Sequence, residues 1–139
     1  MEPRGVRNHN PLNIERRPGT KWLGQTKDQS DARFVQFQSD VLGFRAALII
    51  IRRYIKQYGL VTIRKIVSRW APPAENHTER YVQVVEEKSG IDARRIVSWE
   101  EREKIVAIVK AMAFMETGVL YPAAIIKKAY DLCVYSSLP

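Results

Sequence analysis

Residues 39–59 read SDVLGFRAALIIIRRYIKQYG, and this stretch decides the fold. Leu42, Phe44, Ala46, Leu48, Ile49, Ile51, Ile55 and Tyr58 make a helical run that is apolar on more than one side, so it is expected to pass through a core. Ser39 is a good N-cap with Asp40 in the first turn, and Gly59 suits the left-handed position that ends a helix. Working outward, Thr62 caps a shorter helix over Ile63–Trp70, with Ile66, Val67 and Trp70 on one face. Ala71-Pro72-Pro73 ends it, because proline cannot continue the ladder. A third helix covers about Thr78 to Lys88 and stops at Gly90. Ser98-Trp99-Glu100-Glu101 has the form of a capping box, so a fourth helix is expected from Trp99 to about Glu116, with Gly118 just beyond. Pro122 then starts a last helix that reaches about Val134. On the N-terminal side, Met1 to Asp31 is dense in Arg, Asn, Pro and Gly and reads as loop. Within it, Asn10 to Ile14 is a turn and a short extended piece, and Arg33-Phe34-Val35-Gln36-Phe37 alternates like a strand. The two are placed to pair. The expected class is mainly α: four to five helices with a minor N-terminal β ribbon.

With 139 residues, the chain fits one domain over 1–139, whose residues 1–31 form a loop-rich N-terminal segment. Its lone cysteine, Cys133, has no partner for a disulfide or a zinc site and reads as a small buried hydrophobe. His9 and His77 lack ligand spacing, so neither a metal nor another cofactor is expected. No segment reads as a signal peptide, and the longest apolar stretch, Ala46 to Ile51, is too short to span a bilayer. Cytosolic synthesis is expected. The formal net charge of +8 seeks a polyanion, for which nucleic acid, anionic lipid and the anionic bacterial wall all qualify.

The chemistry concentrates at Glu116. Ile105, Val109, Met112 and Glu116 follow at spacings of four, three and four, which puts the carboxylate on an apolar helix face. Apolar walls strip hydration from the ionised form, and the negative end of a helix disfavours a second negative charge. Both effects favour a carboxyl that keeps its proton, as glycosidic bond cleavage requires.

These strings resemble a family. Ile108 to Gly118 resembles the helix of lytic transglycosylases and goose-type lysozymes that ends in their catalytic Glu. Glu75-Asn76-His77-Thr78-Glu79-Arg80-Tyr81-Val82 resembles their later Glu-Thr-Arg-x-Tyr-Val segment; Thr78 and Tyr81 match in spacing, while the acid before Thr78 is displaced. Asn8 to Ile14 resembles a turn of flagellar-type glucosaminidases. The order is reversed here, since Glu116 follows Tyr81, which implies a circularly permuted lysozyme-like domain. Arg4-Gly5-Val6-Arg7-Asn8-His9-Asn10-Pro11-Leu12-Asn13-Ile14 and Arg69-Trp70-Ala71-Pro72-Pro73-Ala74-Glu75-Asn76-His77-Thr78 resemble a group of phage lysins and virion structural proteins, with His9 where that group has Asn.

The resemblance implies an enzyme acting on the bacterial wall, delivered by phage or released, with virion components among its partners. Glu116 would protonate the oxygen between N-acetylmuramic acid and N-acetylglucosamine, then act as base for the muramyl 6-hydroxyl. Tyr81 would contact substrate or Glu116. Asn10, Asn13, Thr78 and Asn76 fall on the substrate side, although Asn10 before Pro11 also suits pure turn chemistry. A muramidase would need a second carboxylate, for which Asp31, Glu75 and Asp28 qualify. Glu75 is the rival catalytic residue: ahead of a helix it should stay ionised, as a base, nucleophile or cap. Trp70 is expected to seal the core and Trp22 to form an exposed platform. Two other functions stand beside the enzyme: a nucleic-acid-binding module using patches such as Arg52-Arg53 and Arg94-Arg95, and a noncatalytic phage structural protein.

Overall fold

The computed structural model describes residues 2–74 and 76–134, so Glu75 lies outside the described residues. Six helices follow in order among them: α1 (Arg4–Arg7), α2 (Asp40–Tyr58), α3 (Ile63–Trp70), α4 (Thr78–Ser89), α5 (Arg102–Thr117) and α6 (Ala123–Cys133). The fold is mainly α. The caps work as their chemistry requires: Ser39 accepts from the Leu42 amide, Thr62 from the Lys65 amide, and Gly59, Gly90 and Gly118 are left-handed stops.

Helix α2 runs through the core with Phe44, Ala46, Ala47, Leu48, Ile49 and Ile51 fully enclosed. It packs chiefly on α6, while α4 packs on α5 and α5 also meets α6. Cys133 is fully buried in α6, with its thiol against the Ala129 carbonyl. No helix among the described residues is long and apolar enough to cross a membrane.

Two boundaries differ from expectation. Helix α5 begins at Arg102 rather than Trp99, because Trp99 turns inward and stacks on Tyr130 at 4.6 Å. Half of the capping box survives: the Glu101 carboxylate accepts from the Ser98 amide at 2.9 Å. Residues 4–7, read as loop, form the single turn α1 behind Pro3.

The N-terminal ribbon shrinks to two isolated antiparallel bridges, Glu15 with Phe34 and Gln25 with Phe37. The first sits where pairing was expected: the Val35 amide donates to the Ile14 carbonyl at 3.0 Å and the Arg16 amide to the Arg33 carbonyl at 2.8 Å. The rest of the loop is held by side chains. Asp31 accepts from the amides of Phe34 and Arg33 and from the Asn8 side chain, and those bonds hold its carboxyl down to about 2. A folded-state value below the unfolded one stabilises the fold above the unfolded value and loses that contribution as pH falls. Stability measured by urea unfolding should therefore drop as pH goes from 3.8 toward about 2. Asp31→Asn should flatten the curve in that window; an unchanged acid slope would refute the linkage.

Candidate active site

Glu116 occupies the last turn of α5, a helix that buries Ile105, Ile108, Val109 and Met112. These residues share the helical stripe that carries the carboxyl, so Glu116 leaves the core partly buried. Two donors, one on each oxygen, hold it. The Asn13 side-chain amide donates to Oε1 at 2.9 Å, and the Tyr81 hydroxyl donates to Oε2 at 3.0 Å. The donors come from distant parts of the chain, the N-terminal loop and α4.

Asn13 reaches this position through a built turn. Its φ of 53° lies in the left-handed region, which Asn tolerates better than most residues. Asn10 fixes the turn from beneath, with no exposed surface: its side chain donates to the carbonyls of Ile14 and Val35 and accepts from the Ile14 amide. Gly5 on α1 lets this turn lie against the end of α5. A Cβ on Gly5 would stand 2.9 Å from the Asn10 carbonyl oxygen and from a Thr117 methyl, and 3.0 Å from Asn13 Oδ1.

Tyr81 is only 5% exposed, and its hydroxyl also lies 3.4 Å from the Met112 carbonyl. Burial first, and then the neighbouring Glu116, push its ionisation well above the ordinary range, so it stays a donor. Burial is also the leading influence on Glu116 and raises its carboxyl; the bonds from Asn13 and Tyr81 pull the other way and are outweighed. Removing either donor removes support for the ionised form. Asn13→Ala and Tyr81→Phe should therefore each raise the Glu116 carboxyl further, read as an upfield-to-downfield titration of its side-chain carbon by NMR. A midpoint that falls in either variant would contradict this account.

Of the residues expected in the site, the structure brings together Glu116, Tyr81 and Asn13. Asn10 and Thr78 are corrected. Both are buried and bind backbone, Thr78 donating to the Ala71 carbonyl at 2.6 Å, so these bonds hold the fold around the site. Asn76 is exposed and donates to the Pro72 carbonyl. Asp31 is occupied by the loop amides, and Asp28 is exposed at the surface. Trp22 is corrected, being only 7% exposed, while Trp70 packs half-buried against the core; both rings also line a groove.

That groove, of about 410 Å³, runs from Asn13 past Trp70. Its wall includes Arg17 from the loop, Arg53, Tyr54 and Tyr58 from α2, and Arg69 from α3. The Arg69 guanidinium lies over the rings of Tyr54 and Tyr58, 5.6 and 5.5 Å from their centroids. The sequence carried a signal for this wall, since Ile50, Tyr54 and Tyr58 recur every four residues and Arg53 is their neighbour on the helix. Of these, the sequence picked out only Tyr58, as part of the core run, and Arg53, as part of a basic patch. The Arg52-Arg53 patch in fact divides: Arg52 donates inward to the Cys133 carbonyl and lies over Trp99, while Arg53 faces the groove. Arg95 of the other patch pairs with Glu101. No group of His, Cys, Asp and Glu among the described residues could hold a metal ion.

No known protein-family profile matches the chain. It is 38% identical over 135 residues to Protein P5 of Pseudoalteromonas phage PM2, an alignment spanning 95% of this chain and 82% of that protein. At that identity and coverage, the chain belongs to the same family as Protein P5 of phage PM2.

Proposed function

We propose that this protein cleaves the glycan strands of bacterial peptidoglycan between N-acetylmuramic acid and N-acetylglucosamine, with Glu116 as a single acid and base. The observation that carries the reading is a desolvated carboxyl held between two neutral donors, Asn13 and Tyr81, where one donor also lines a groove with aromatic and cationic walls. Protonated Glu116 gives its proton to the glycosidic oxygen as the bond from that oxygen to the muramyl C1 breaks. The carboxylate so formed accepts from Asn13 and Tyr81, which stabilise it against its dry surroundings. It then takes the proton of the muramyl 6-hydroxyl as that oxygen closes on C1. The products are a 1,6-anhydro end and a reprotonated acid. While Oε2 carries the proton, the Tyr81 hydroxyl has the Met112 carbonyl as its other acceptor.

The commitment of Asp31 to loop amides speaks against that one residue as the second carboxylate of a hydrolase. Kinship with a phage protein supports delivery to the wall by a virion or release from a lysing host. Mass spectrometry of digested peptidoglycan tests the reading. Anhydro ends are expected; reducing ends alone would make the protein a hydrolase, and no fragments would reject an enzyme.

A further inference from the structure

We propose that the groove beside Asn13 is a carboxylate reader: Arg17, Arg53 and Arg69 bind the acidic groups of the peptide stems on peptidoglycan, so the protein prefers stem-bearing glycan to bare strands. The inference rests on the glycan-strand reading of the same site. Three guanidinium groups from three separate segments converge on one groove. The ion pairs among the described residues leave all three out. Among the described residues, the groove wall carries one acid, Glu15, whose charge is offset by Arg33 at 2.7 Å. The groove therefore presents excess positive charge.

The form of that charge matters. Guanidinium is planar and meets a carboxylate through two parallel N–H bonds, a fit that ammonium lacks. Contact with the Tyr54 and Tyr58 rings holds the Arg69 guanidinium at the groove before any ligand arrives. Between the arginines lie the rings of Tyr54 and Trp70, set edge to face at 6.1 Å, and the exposed Tyr58. Sugar faces pack on aromatic rings while carboxylates seek guanidinium, and stem-bearing glycan offers both in alternation. Single-stranded nucleic acid also offers rings and negative charge. The glycan is favoured because Asn13, at one end of the groove, holds the protonatable Glu116, for which phosphodiester binding has no use.

The test measures binding without turnover, in the Glu116→Gln chain, by calorimetry. Soluble glycan strands carrying their stems are compared with the same strands after amidase has removed the stems, which leaves one lactyl carboxylate per muramyl residue in place of the several acids of each stem. Stems should tighten binding about tenfold, as two or three partly exposed charge pairs allow. Arg17→Gln with Arg53→Gln should erase most of that preference, and Arg53→Lys should restore part of it. If Arg53→Gln lowers the melting temperature, Arg17→Gln alone, on an exposed loop, should still reduce the ratio. Equal affinity for both strands, binding to neither, or a preference unmoved by the arginine variants would overturn the proposal. So would tighter binding of oligo-dT than of stem-bearing strands at equal ionic strength. Failure of the cleavage reading looks different: the wild-type chain would release no fragments while the stem preference persisted.

Discussion

Glu116→Gln should abolish clearing of peptidoglycan while leaving the protein folded. The amide oxygen can still accept from Asn13, while the amide nitrogen donates to the Tyr81 hydroxyl, which turns its own proton to the Met112 carbonyl, so the local geometry has no reason to collapse. What it lacks is a transferable proton. General acid–base groups contribute about a hundredfold to ten-thousandfold in rate, or about 3 to 5 kcal/mol of transition-state stabilisation. A turbidity assay should register a loss of that order. Clearing equal to wild type would remove Glu116 from the mechanism.

The same variant makes a second, independent statement through stability. Burial raises the Glu116 carboxyl in the folded protein. A group whose folded value exceeds its unfolded one contributes stability that is complete below the unfolded value and is lost as pH rises through the folded value. Gln cannot ionise. Glu116→Gln should therefore melt higher than wild type at neutral pH, and the gap should close in acid. A gap that widens in acid would show that the carboxyl is not desolvated.

Gly43→Ala should be the most damaging single methyl in the chain. Alanine ordinarily strengthens a helix by about 1 kcal/mol relative to glycine. Here a Cβ would lie 2.1 Å from the His9 carbonyl oxygen and 2.9 Å from Pro11 Cδ. The obstruction includes backbone, which cannot swing aside as a side chain does. Either α2 or the N-terminal loop must move, with an expected loss of about 3 to 5 kcal/mol and a fall in melting temperature of about 10 °C or more. The shift should carry the Asn13 turn with it, so catalysis should fall further than stability alone explains. Ala at 43 with unchanged melting would mean that the loop does not press on α2.

How much of this was legible follows from what each feature depends on. Helices α2, α3 and α4 came through with their ends because Ser39, Thr62, Gly59 and Gly90 act within a turn of themselves. The face of α5 came through because a stripe at helical spacing is a local property. The N-terminal loop did not, since its shape rests on Asn10 reaching Val35 and on α2 passing His9 at glycine distance. Neither interaction has a periodic signature. Asn13 was expected to face a ligand; it lines the groove and also binds Glu116, and a bond across 103 positions has no trace in spacing. Tyr81 was reached only through resemblance. Trp22 proved buried because exposure depends on which neighbours cover a ring, and that is not written in local spacing.

The bond from Asn13 to Glu116 also fixes when, during folding, the candidate site is complete. A contact between positions so far apart closes only after the intervening chain has been made and packed, because its loop entropy must first be offset by everything between. A ribosome-bound fragment lacking α5 has no acid, and a loosened chain has an acid with no cradle. The carboxyl thus gains its two donors only once the N-terminal loop, α4 and α5 have all come together.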